Sequence, residues 1–182
     1  MSLKRMLILT VAIYTSICAA QGANYWLHVR VQTPEKSEAV KVNVPLNLVQ
    51  SVLPVIETDE FSQGRIKLEE QEFTVPQMRA IWETIKSQGS YEIAAIDSGE
   101  DRVRIALEGD ELFVRSIEGS GTQVLVNIPV SVVDALLSGE GDTLDLQAGI
   151  EALQMVGAKD LVTVNDGENM VRVWIDEAST PE

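Results

Sequence analysis

The sequence predicts an α+β protein made of two tandem β-β-α-α-β-β modules, each with antiparallel sheet and helices packed on one face. Repetition is the first observation behind this. Val42-Asn43-Val44-Pro45-Leu46-Asn47-Leu48-Val49-Gln50-Ser51-Val52-Leu53 returns 84 positions later as Val126-Asn127-Ile128-Pro129-Val130-Ser131-Val132-Val133-Asp134-Ala135-Leu136-Leu137, with five of twelve residues identical. The second is that Trp82 to Ile105 lies on Ile150 to Val173 at an offset of 68, keeping Glu83/Glu151, Gly89/Gly157, Gly99/Gly167, Glu100/Glu168, Val103/Val171 and Arg104/Arg172. The third is that apolar spacing switches within each copy between a period of two and a helical period, as strands and helices require.

Taken in order, Leu27, Val29 and Val31 alternate with His28 and Arg30, and after the polar turn Thr33 to Glu38 a second alternation sets Val40, Val42 and Val44 on one side. Such alternation marks half-buried strands. Pro45 cannot extend a ladder but suits a first helical turn, so Leu46 to Leu53 is expected as a short buried helix that Pro54 stops. Thr74-Val75-Pro76-Gln77 has the form of a capping box and opens a helix ending at Gly89. Met78, Ile81, Trp82 and Ile85 share one stripe of that helix, which makes Trp82 a core residue. Strands Tyr91 to Ile96 and Arg102 to Leu107 flank a turn whose Gly99 supplies the positive backbone angle. The tight connection Glu108-Gly109-Asp110-Glu111 makes the next strand a hairpin partner of the last, and leaves open whether the two sheets are continuous. Strands Leu112 to Ser116 and Val124 to Ile128, helices Val130 to Leu137 and about Thr143 to Val156, and strands Leu161 to Asn165 and Met170 to Asp176 complete the second copy.

The expected divisions are a signal peptide at 1–22, a first module at 26–108, a second at 109–177 and a frayed tail at 178–182. Between its two helices the first copy has 20 residues, 54–73, where the second has four, 138–141. Within this insertion Arg65 to Glu69 alternates like a short strand, either covering the edge or rim of the first module or forming a functional loop.

The first two dozen residues run from Lys4 and Arg5 through the apolar stretch Met6 to Ile17 into Cys18-Ala19-Ala20-Gln21-Gly22, the form of a secretory signal peptide. That stretch is shorter than the roughly 18–20 residues that span a bilayer, so no integral membrane segment is expected, and the protein should be periplasmic or extracellular. An acylated Cys18 is the alternative, although Ile17 stands where lipoprotein signals carry a small residue. Cleavage would remove the only cysteine, and with it disulfides, thiolate ligands and a cysteine nucleophile. It would also remove two of the 14 basic residues and none of the 28 acidic ones, leaving 12 against 28 and a net charge of −16. Such a chain lacks the basic excess that nucleic acid requires, and no nucleic-acid partner is expected.

The recurring pattern is a valine-rich strand running through Val-Asn-Val/Ile-Pro into a short helix, then a helix ending at Gly89 or Gly157. After that comes Asp/Asn-x-Gly-Glu between strands ending in Val-Arg-Ile/Val. It resembles small uncharacterised modules of bacterial secreted proteins and, more weakly, is similar to the β-rich repeats of LiaX-like cell-envelope stress proteins. The resemblance covers 26–107 and 111–176. It implies an envelope or secreted context and brings no catalytic residues.

Residue chemistry points away from catalysis. His28 is the only histidine, so no second imidazole or thiolate completes a transition-metal site, and no cofactor or metal is expected. Ser120 in Gly119-Ser120-Gly121 reads as a turn between strands, without the strand-to-helix elbow of a hydrolase nucleophile. The acidic runs Glu57-Thr58-Asp59-Glu60, Glu69-Glu70-Gln71-Glu72, Glu108-Gly109-Asp110-Glu111 and Glu140-Gly141-Asp142 with Asp145 fall in turns and helix starts, where carboxylates cap backbone N–H groups. None has the calcium-loop form.

One constellation points to recognition. Counting by twos gathers Trp26, His28, Arg30, Arg104, Phe113, Arg115, Arg172 and Trp174 on the outer side of the sheet, opposite the valines. Arginine with aromatic rings is the composition of binding surfaces, because a planar guanidinium both grips carboxylates and stacks on rings. The other reading is that these arginines pair across strands with Glu92 and Asp160. The expected function is a non-catalytic interaction module, binding a protein partner or itself as a homodimer through this face. The alternative is a carbohydrate-active or other hydrolytic enzyme using carboxylates at the junction of the modules.

Overall fold

A computed structural model describes residues 24–33, 38–68 and 73–180. The expected signal peptide, the centre of the turn after Thr33, the acidic run from Glu69 to Glu72 and the last two residues of the tail lie outside them. Among the described residues, eleven strands and four α-helices make an α+β fold around a large antiparallel sheet. Along the chain come β1 (Trp26–Thr33), β2 (Glu38–Pro45), α1 (Leu46–Val52), β3 (Phe61–Ser62), β4 (Arg65–Lys67), α2 (Val75–Ser87), β5 (Tyr91–Ser98), β6 (Asp101–Glu108), β7 (Glu111–Ile117), β8 (Gln123–Pro129), α3 (Val130–Leu136), β9 (Thr143–Asp145), α4 (Leu146–Val156), β10 (Lys159–Asn165) and β11 (Met170–Asp176).

Eight strands form one continuous sheet in the order β2-β1-β11-β10-β8-β7-β6-β5. The four strands that residues 111–176 contribute to this sheet are thus contiguous in the middle, and the two hairpins of residues 26–108 stand apart on either side. One hairpin is joined through β1 and β11, with Val29 opposite Val173, and the other through β6 and β7, with Ile105 opposite Val114. β2 and β5 are left as the two edges. β5 and β10 each carry an irregularity, between Glu92 and Ala94 and between Asp160 and Val162.

Helix starts follow the local chemistry. Pro45 and Pro129 sit at the N-caps of α1 and α3 and end the preceding ladders. The first N–H of each helix then finds a carbonyl just before a neighbouring strand, Leu46 donating to Tyr25 at 2.9 Å and Val130 to Asp110 at 2.8 Å. α2 opens with the full capping box: Gln77 N–H donates to the Thr74 hydroxyl at 3.3 Å, and Thr74 N–H to the Gln77 side chain at 2.9 Å. Trp82 from α2 is buried with Val75, Leu107 and Leu137, and Met78, Ile85, Leu112 and Val133 pack around them. Leu107 and Leu112 are opposite each other on β6 and β7, so α2 and α3 cover the sheet face that these leucines share. Ile81 departs from the expected stripe, being 49% exposed.

One expectation changes. The second long helix begins at Leu146 rather than near Thr143, because Thr143–Asp145 is drawn into a separate three-stranded sheet of order β3-β4-β9. Arg65 lies opposite Asp145 and Lys67 opposite Thr143, while Asp145 caps α4 by accepting from Ala148 N–H at 2.9 Å. The insertion therefore lies against residues 143–147, and Leu68 within it packs on the cluster of Val75, Trp82 and Leu107. Its turn runs through Gln63 and Gly64, both at positive φ, and the buried Gly64 carbonyl accepts the Gln147 N–H at 3.1 Å. No helix of the described residues is long and apolar enough to cross a membrane.

Candidate functional site

The register of the large sheet fixes which side chains share a face, since alternate residues of every strand point the same way. Lys41, Arg30, Arg172, Thr163, Leu125, Arg115, Arg104 and Ala95 stand opposite one another in succession, one residue from each of the eight strands. All eight sequence-predicted residues fall on the face of this row. Trp26, His28 and Trp174 gather with Arg30 and Arg172 towards one edge, and Phe113 with Arg104 and Arg115 towards the other. Two strands, β8 and β10, separate the gatherings, leaving β11 and β7 about 14 Å apart.

Five of the eight row positions are cationic. Arg30 faces Arg172 directly, and Arg104 faces Arg115. Like charges opposite each other destabilise a strand pair, so each pair must be relieved. Arg172 donates through Nε to Asp160 at 2.6 Å and lies 4.5 Å above the Trp174 ring. Arg104 donates to both carboxylate oxygens of Asp97, at 3.0 and 2.8 Å, and has Glu92 at 3.6 Å. The bond to Asp97 is the main reason that the Arg104 guanidinium is held above its ordinary range, with a contribution from the Glu92 charge. Pairing with Glu92 and Asp160 was the competing sequence expectation, and these bonds have that form. Arg115 is exposed and lies 5.8 Å from the Phe113 ring; among the described residues it has no ion pair.

The other gathering is a packed polar cluster. His28 is fully buried and Trp174 nearly so, with ring centroids 4.9 Å apart and planes 23° from parallel. His28 Nδ1 lies 2.9 Å from Asn43 Oδ1, Nε2 lies 3.0 Å from Asp176 Oδ1, and the Trp174 indole donates to Asp176 Oδ2 at 2.8 Å. Burial works to raise the Asp176 carboxyl, but the Trp174 indole, the Ala178 N–H and His28 outweigh it and hold it below the ordinary range. Only the arginines, with half-buried Trp26 and Phe113, remain to be touched from outside. Period-two counting found the face; it carried no signal for the cover over His28 and Trp174.

Between the gatherings the same face holds a depression of about 350 Å³ lined by Arg115, Ile117, Leu125, Thr163 and Met170 among others. A second concavity, of about 490 Å³, lies where β7 and β8 meet α3 and is lined by Asp110, Glu111, Asp134 and Lys159 among others. Its carboxylates are engaged. Asp134 accepts from the Trp82 indole at 2.7 Å and from Lys86 at 2.6 Å, and Glu111 is bonded to Lys159, which lowers its carboxyl. Ser120 lies in the turn between β7 and β8, where Gly121 N–H donates to Glu118 O at 2.8 Å.

Comparison with known proteins adds one finding. No curated protein and no solved structure matches the chain. A family model described as YvlB-like protein, C-terminal domain, matches residues 25–106, from the residue before β1 to within β6, and supports placing that segment with an uncharacterised bacterial family.

Proposed function

We propose that the chain is a non-catalytic interaction module of the bacterial periplasm or exterior, built from two tandem copies of one unit, which binds an acidic protein surface through the outer sheet face. The observation that carries this reading is the row of Lys41, Arg30, Arg172, Arg115 and Arg104 across a chain of net charge −14. Gathering five cations, with Lys41 opposite Arg30, Arg30 opposite Arg172 and Arg104 opposite Arg115, costs stability, part of which Asp160, Asp97 and Glu92 offset within the sheet. An acidic partner offsets that cost, and the depression beside Arg115 gives it a recess to enter. The surface serves equally for the acidic flank of a second copy.

Hydrolysis by carboxylates at the junction of the copies has less support, because Glu111 and Asp134 there already hold Lys159, Lys86 and Trp82. A general acid needs a carboxyl raised towards neutrality, whereas Glu111 is shifted the other way.

The test is binding to a partner captured from envelope extract, before and after Arg104→Ala and Arg172→Ala are combined. Charge-assisted contacts contribute about 1.5–3 kcal/mol each, so the double variant should bind at least about a hundredfold more weakly. Unchanged affinity in a folded variant leaves these residues as cross-strand decoration. Export is checked separately, since mass spectrometry of the native protein should find an N-terminus between Gln21 and Asn24. A diacylated Cys18 would overturn that leader assignment.

A further inference from the structure

We infer that the β2–α1 edge of one copy of this chain pairs with the α2–β5 edge of a second copy, in the register that β8 and β10 use inside each chain. The inference rests on a junction made once and left unmade once. β8 and β10 pair with Val126 opposite Val162, Leu125 opposite Thr163 and Val124 opposite Val164. The offsets of 84 and 68 carry these pairs to Val42 with Ala94, Lys41 with Ala95 and Val40 with Ile96. Those residues belong to β2 and β5, the two strands of the eight-stranded sheet that have a neighbour on one side only among the described residues.

The side chains repeat the contrast. Val40 is 59% exposed and Ile96 57%, whereas their counterparts Val124 and Val164 are half-buried in the middle of the sheet. The helices over the junction agree. α3 and α4 pack together, with Val132 buried and Leu136 so close to Gly149 that a methyl group there would collide with it. The counterparts of Val132, Leu136 and Gly149 are Leu48, Val52 and Ile81, and all three are large, apolar and exposed. An apolar cleft of about 360 Å³ opens beside Ile81 between α2 and α3. Val40, Leu48, Val52, Ile81 and Ile96, five residues on four elements, thus carry the pattern of an interface without its partner.

A second copy is the occupant because both complementary edges exist on this chain and are held apart. β2 is fixed through β1 to β11, and β5 through β6 to β7. Seven strand spacings separate the edges, about 34 Å along the sheet, so one chain would have to roll its sheet closed to join them. A long apolar edge strand is otherwise an aggregation hazard that proteins cover or charge. The contact is heterologous, and it either closes two copies around a twofold axis using both edges of each, or continues head to tail.

The experiment uses the Cys18→Ser protein carrying either Val40→Cys or Ile96→Cys, both at exposed positions. Mixing the two and adding a short bis-maleimide should give a species of twice the chain mass whose cross-linked peptides join 40 to 96. Sedimentation of the unmodified protein should show concentration-dependent mass, and Val40→Lys or Ile96→Lys should weaken that association at least tenfold. Arg104→Ala with Arg172→Ala should leave it intact, so a failure of the outer-face reading is separable from a failure here. The inference is overturned by a monomer at every concentration, by joining of 40 only to 40 and 96 only to 96, or by 40 and 96 joining within a single chain that carries both cysteines. Association abolished by the arginine pair and untouched by the edge lysines would overturn it as well.

Discussion

Asp176 receives the His28 ring at 3.0 Å, the Trp174 indole at 2.8 Å and the Ala178 N–H at 2.7 Å. These donors outweigh the burial that opposes them, so the folded carboxyl ionises below the value near 3.9 that it has in an unfolded chain. The sign follows. A depressed folded value contributes stability that is present above the unfolded value and is lost as pH falls through the folded one. Glu111, lowered chiefly by its bond to Lys159, acts in the same direction. The 28 acidic residues otherwise repel one another, and their protonation works the other way. Comparison of Asp176→Asn with the parent isolates the local effect. In thermal melts across a pH series, the variant should melt lower at neutral pH, and its deficit should shrink as pH drops below about 4. A deficit constant with pH would mean that the carboxylate charge contributes nothing.

At the scale of elements, helix α2 gives the plainest test. Thr74→Ala removes the acceptor for Gln77 N–H and should cost about 1 kcal/mol in a denaturant titration, with no change in its slope. This cap was legible in the sequence because all its partners lie within four residues. So were the strands, whose alternation is local, and the face shared by the arginines, which follows from alternation. Thr143–Asp145 was not legible as strand, because its partner is Arg65–Lys67, almost 80 residues away, and nothing in its own spacing requires it. Ile81 sits at a correct core spacing and is exposed, since spacing says which stripe a residue occupies and not whether another element covers that stripe. The burial of His28 escaped for the same reason: its hydrogen-bond partners Asn43 and Asp176 come from two other strands.

For the whole molecule, sequence repetition suggested two tandem modules and left the continuity of their sheets open; the strand order makes one sheet and sets the hairpins of one half at the two ends of the other half's strands. Register between distant strands is a tertiary property, invisible to period counting. The arrangement makes the ends of the fold interdependent, because β11 lies between β1 and β10 and hydrogen-bonds to both. Ending the chain at Asn169 should therefore release the first hairpin as well as remove a strand. Such a protein should lose its cooperative melt altogether, and a folded remnant with β1 still protected from hydrogen exchange would contradict the pairing. Time enters here too. β1 can pair with β2 as soon as both are made, but its other partner, β11, lies near the far end of the described residues, so one side of β1 stays open until that strand follows. Long loops must close before such contacts reward the closure, and refolding on the scale of milliseconds to seconds or slower is expected. Until β11 is in place the β1–β2 hairpin carries two unpaired edges, and in that interval it is open to pairing with another chain.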